Sequence, residues 1–157
     1  MTIKYFKKID KDSNDYLNMV INSLKDNNET PNNLYVDKTN GNFNGSDFNS
    51  RISYTGSIVN DGIIYLKKKN EASDKSSYRP IEIIGKNIYG CDFNIKNISE
   101  TLAVELYYLL YSTNNNIELA ELLDKLSVNF DVSYKNKKYN DTNSKIVNIN
   151  VYKRKVV

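Results

Sequence analysis

No histidine occurs anywhere in the 157 residues, and cysteine occurs once, at Cys91. Histidine is the side chain whose unperturbed pKa lies nearest neutrality, and it is the commonest metal ligand. Its absence removes the usual centre of hydrolases, of zinc sites and of most nucleophile and base pairs. A lone cysteine excludes an internal disulfide and any CxxC metal cluster. Tryptophan is missing, alanine is confined to Ala72, Ala103 and Ala120, and arginine to Arg51, Arg79 and Arg154. No stretch approaches the roughly eighteen apolar residues of a membrane span, and the opening MTIKYFKK has charges without a following apolar run, so no signal peptide is read.

What fills the space is asparagine, at 25 positions, with lysine, isoleucine and 13 tyrosines. These residues share A/T-rich codons, which points to an AT-rich genome and to a phage, virus or mobile element as the carrier. Such a bias loads exposed positions with Asn and Lys whatever the function. At this length one domain is expected, spanning 1–157 and burying about two-thirds of its unfolded surface. The expected location is cytoplasmic, or within a virion, with Cys91 reduced and structural.

Periodicity divides the chain into elements. Leu17, Val20, Ile21 and Leu24 form one apolar stripe at helical spacing, predicting a helix over about 13–26 that Asp12 or Ser13 caps. The segment 37–50, with its Asn-Gly pairs, reads as a flexible surface loop. Two apolar runs around Asn60-Asp61-Gly62 predict a hairpin over 51–69, and IEIIGKNIYGCDFNI predicts another over 79–95, turning near Gly85-Lys86-Asn87. Then come two helices, about 99–112 and 117–126. The first carries Leu102, Ala103, Val104, Leu106, Tyr107, Leu109 and Leu110, little of it polar, so it is expected to be central and buried on most sides.

The second helix presents Leu119, Leu122, Leu123 and Leu126 on one stripe. Strict alternation at Val128, Phe130, Val132 and Tyr134, and again at Val147, Ile149 and Val151, predicts a last hairpin over 128–155. The fold class that follows is α+β: a mainly antiparallel sheet packed against an N-terminal helix and a helical hairpin. Leu17, Val20, Ile21, Leu24, Leu102, Leu106, Leu109, Leu110, Leu119, Leu123, Leu126, Val128, Phe130, Val132, Val147, Ile149 and Val151 are its expected core.

Fragments of known motifs do not assemble into sites. Asp37-Lys38-Thr39 after Leu34-Tyr35-Val36 looks like the aspartyl-phosphate motif of the haloacid dehalogenase type, but the Gly-Thr order is broken and no helix follows. Asp10, Asp12 and Asn14 begin like a calcium loop, yet Asp15 and Ile21 stand where its Gly and Glu belong. GNFNG lacks the Lys-Ser/Thr of a phosphate loop. Paired carboxylates catalyse without histidine, and Glu82, Asp92, Glu100 and Glu105 are the mid-chain acids, with nothing to pair them. The sequence therefore offers no catalytic, cofactor or metal residues.

Binding chemistry is better represented. Lys135, Lys137, Lys138, Lys153, Arg154 and Lys155, with Tyr139 among them, make the C-terminal hairpin basic and aromatic, a candidate strip for nucleic acid or another partner. A lysine-rich edge hairpin that resists aggregation is the structural alternative. Two helices followed by such a hairpin resemble a winged helix in outline, although Glu118, Glu121 and Asp124 give the second helix an acidic outward face. Tyr108 and Tyr111 are candidate interface aromatics, since a rigid ring offers contact area at small entropic cost. The function expected is non-enzymatic binding through protein contacts or self-assembly, as a host-factor inhibitor or virion assembly component. Nucleic-acid binding is the alternative, and no membrane association is expected.

Overall fold

A computed structural model describes residues 13–59, 62–69 and 81–136. Its element order is α1 (Ser13–Asp26), β1 (Asn33–Asp37), β2 (Asn42–Asp47), β3 (Ile52–Val59), β4 (Gly62–Lys69), β5 (Ile81–Ile88), β6 (Cys91–Ile98), α2 (Glu100–Tyr111), α3 (Asn116–Leu126) and β7 (Asp131–Asn136). The strands form one seven-stranded antiparallel sheet in the order β1 to β7, so the fold is α+β.

Alternation along the strands supplies both faces of the sheet with apolar side chains. On β4, Ile64 belongs to one buried cluster and Ile63 and Tyr65 to another, which explains the unbroken apolar run Ile63–Leu66. The larger cluster joins Val59, Ile83, Phe93, Ile95 and Val132 of the sheet to Ala103, Leu106, Tyr107, Leu110, Leu119 and Leu123 of α2 and α3. The smaller one groups Val20 and Leu24 of α1 with Phe43, Tyr54, Ile58, Ile63, Tyr65 and Ile84. The two clusters lie on opposite faces of the sheet and both draw on β3, β4 and β5. On the α2 side, β2 and the adjoining part of β3 show Asn42, Asn44, Thr55 and Ser57, with the exposed Tyr35 of β1 in register beside Asn44.

Local chemistry sets the ends of the elements. Asn28, in the left-handed region at φ 64°, closes α1: its N–H bonds to the Lys25 carbonyl and the Glu29 N–H to that of Leu24, the pairing of a Schellman cap. That reversal turns Glu29 inward. Ser99 caps α2 by accepting from the Leu102 N–H, and Asn115 caps α3 by accepting from that of Glu118.

The stretch 37–50 is a strand between two tight turns, not a flexible loop. Asp37 accepts from the N–H groups of Thr39 and Asn40 and Asp47 from those of Asn49 and Ser50, and the turns end on Gly41 (φ 73°) and Arg51 (φ 59°). Asp37, placed like a phosphorylated aspartate in the sequence, is thereby a turn residue. Between the turns β2 alternates, with Phe43 buried and Asn42 and Asn44 exposed. The second hairpin also turns later than expected, at Tyr89 (φ 51°) and Gly90 (φ 82°), where both left-handed residues give a type I′ turn. Gly85 stays inside β5 because the Phe93 ring lies over it: a Cβ there would stand 2.1 Å from Phe93 Cε2. Gly56 does the same beneath Phe43.

The reading of α2 as a central helix is corrected. Only Ala103, Leu106, Tyr107 and Leu110 are buried, while Leu109 is 50% exposed and Leu102 41%. A helix lying on one sheet face, with nothing packed over it among the described residues, buries a single stripe whatever its composition. Leu17 is likewise exposed, and Ile21 half-buried, at the margin of the α1 stripe. Val128 is exposed and Leu126 and Phe130 half-buried, because residues 127–130 bond back to the end of α3 and the strand begins only at Asp131. Val147, Ile149 and Val151 lie outside the described residues.

Candidate functional site

A half-open groove of about 440 Å³ lies where α2 meets the polar part of that sheet face. Its floor comes from β2 and β3. Asn42 stands opposite Ser57 and Asn44 opposite Thr55, so their side chains share one face in two adjacent cross-strand pairs. Asn40, in the β1–β2 turn, closes one end, its amide held by the Asp37 carboxylate at 2.8 Å.

The wall is aromatic. Tyr111 lies four residues from Tyr107 and three from Tyr108, the spacings that bring side chains together on a helix surface, so it stands next to both. Tyr107 lies parallel to Tyr111 (12°, ring centroids 6.3 Å apart) and meets Tyr108 edge to face at 5.4 Å. Tyr107 is buried and its hydroxyl shares a hydrogen bond with Ser57, tying wall to floor. Burial pushes its phenol up to about 12, with the neighbouring Tyr111 and Tyr108 adding to the shift against the Ser57 bond. Tyr108 is 61% exposed on the rim.

Two properties define the groove chemically. Among the described residues every lining side chain is uncharged at neutral pH: amides, hydroxyls, phenols and the Phe43 ring. Among the described residues, moreover, the side chains of Asn42, Asn44 and Thr55 make no hydrogen bond, which leaves amide donors and acceptors and a hydroxyl open to a ligand.

The other candidates fall elsewhere. Of the basic set only Lys135 is described, exposed on β7 and paired in register with Asp92. Lys137, Lys138, Tyr139, Lys153, Arg154 and Lys155 lie outside the described residues, as do Asp10 and Asp12. The mid-chain acids are dispersed: Asp92 accepts from the Asn87 N–H and pairs with Lys86, Glu82 accepts from Asn94, and Glu100 pairs with Lys68. No group of three potential metal ligands occurs among the described residues. Cys91 forms no disulfide and is fully buried among apolar neighbours. No helix among them is long and apolar enough to cross a membrane.

Sequence reasoning singled out Tyr108 and Tyr111 but missed the floor beside them. The signal was the alternation Asn42-Phe43-Asn44-Gly45-Ser46, masked because glycine occupies the second inward position. The fold and site thus define an α+β protein with an uncharged, tyrosine-walled groove. Comparison with protein-family models, with curated proteins and with solved structures finds no match to this chain.

Proposed function

We propose that this protein acts without catalysis, by binding another macromolecule, and that the groove between α2 and the β2–β3 face is its recognition surface. One observation carries the reading: open amide and hydroxyl groups on Asn42, Asn44 and Thr55 stand beside an exposed tyrosine ring at Tyr108. A few convergent polar groups for orientation and an aromatic body for contact area are the elements of recognition. In this reading α1 holds the sheet from the opposite face through Val20 and Leu24, so the floor is rigid before a partner arrives. Host-factor inhibition and particle assembly are the two roles that fit a binder of this size.

The test is affinity isolation from the extract of the producing cells, comparing the wild-type chain with Tyr108→Ala and with Glu105→Gln. Both positions are exposed on α2, so neither change disturbs the core. Partners retained by wild type and Glu105→Gln but lost from Tyr108→Ala support the groove. A partner retained equally by all three places recognition elsewhere.

A further inference from the structure

From the chemistry of its lining, and resting on the binding reading above, we infer that the groove takes a neutral saccharide. Four ligand classes are separated by what the floor and wall offer. A nucleic-acid strand demands cations for its phosphates, and among the described residues no lysine or arginine lines the groove. An extended peptide docking by strand addition needs an open sheet edge, whereas the floor is a sheet face whose backbone is already committed to the β1–β2 and β2–β3 ladders.

A purely apolar ligand would bury the Asn42, Asn44 and Thr55 groups with nothing to bond, which disfavours it. A sugar ring has the remaining combination. Its hydroxyls both donate and accept, as carboxamides do, and its axial C–H groups form a flat apolar patch that fits a tyrosine face. Asn42 and Asn44, two residues and so about 7 Å apart on one strand face, are spaced for hydroxyls on opposite sides of a ring or on neighbouring units, and Tyr108 supplies the aromatic face. The volume lies toward the low end of ligand pockets, about 300–1,000 Å³, which suits one or two sugar units at the end of a glycan.

The experiment is an NMR titration of isotope-labelled protein, read at the side-chain amides of Asn42 and Asn44 and the ring of Tyr108. The probes are maltotriose, cellotriose and triacetylchitotriose, with a blocked uncharged hexapeptide and an oligothymidylate at low salt as competing classes. At least one saccharide is expected to shift these signals saturably, with a Kd of about 1 mM or tighter, and Tyr108→Ala or Asn44→Ala to weaken it about tenfold. No shift with any saccharide at about 20 mM overturns the inference, as does saturable binding that both variants leave intact. If the peptide or oligothymidylate alone shifts the groove signals, the saccharide assignment falls while the groove stands as a recognition surface. Affinity isolation tests that broader reading separately.

Discussion

Replacing Glu29 with alanine is expected to cost this protein about 3–4 kcal/mol of stability. Glu29 is a carboxylate only 4% exposed, and it accepts from the Tyr54 hydroxyl at 3.0 Å, from the Tyr65 hydroxyl at 3.0 Å and from Lys67 Nζ at 3.0 Å. Loss of the carboxylate affects the three donors differently. Lys67 is 25% exposed and turns to water, so its share is small. Tyr54 and Tyr65 are buried, and each hydroxyl left without its charged acceptor costs about 1–3 kcal/mol. Asn27, which donates to the Tyr65 oxygen at 3.2 Å, does not replace an acceptor.

Against a total of about 5–15 kcal/mol for a typical domain, that loss lowers the urea midpoint substantially at unchanged m-value, followed by far-UV circular dichroism. Glu29→Gln keeps the shape and one acceptor oxygen, so about 1–2 kcal/mol is expected. In a Tyr54→Phe background the Glu29→Ala cost should shrink by about 1 kcal/mol or more, since one orphaned donor is already gone. A Glu29→Ala loss below about 1 kcal/mol, or strict additivity with Tyr54→Phe, refutes the account of Glu29 as the acceptor for both rings.

The same tyrosines set an alkaline limit. Burial, reinforced by Glu29 for Tyr54 and Tyr65, raises the phenols of Tyr54, Tyr65 and Tyr107 above their ordinary 10.0. Above pH 10 the unfolded chain therefore holds fewer protons than the native one, and stability falls there by up to about 1.4 kcal/mol per pH unit for each tyrosine. Urea midpoints flat across pH 10–12 would contradict that linkage. Gly85→Ala drives a Cβ into the Phe93 ring and is expected to cost about 2–3 kcal/mol, partly recovered by Phe93→Leu, as read by thermal melts. Asn116 and Asn136 exchange amide hydrogen bonds at 2.9 and 3.0 Å while buried, joining α3 to β7. Either alanine variant should lose about 1–3 kcal/mol and the double variant clearly less than the sum, measured as a urea double-mutant cycle.

Local signals located most elements. Ser99 and Asn115 act as the caps their residue types promise, and the helices Glu100–Tyr111 and Asn116–Leu126 fall within one residue of their expected bounds. The runs on either side of Asn60-Asp61 pair as β3 and β4. The misjudged places have a common cause. Asn42–Asp47 reads as a loop because its inward face consists of Phe43 and Gly45, and Gly45 is there for want of space: a Cβ would approach the Asn33 carbonyl oxygen to 2.6 Å. Gly85 reads as a turn because the ring that occupies its missing side chain comes from β6.

By itself, the sequence determined the chemistry open to this chain and the order of most of its elements, because side-chain types and their periodicity are local properties. It removed histidine chemistry and internal disulfides outright. Which apolar residues are covered was a tertiary decision. Leu106 and Leu109 are indistinguishable along α2, yet one faces the sheet and the other solvent, since a helix on a single face buries only the stripe turned toward it. The groove was decided the same way. Asn42 and Asn44 lie more than sixty residues from Tyr107, and only the registers of β2 and β3, with α2 laid beside them, bring amides and tyrosine rings to one surface.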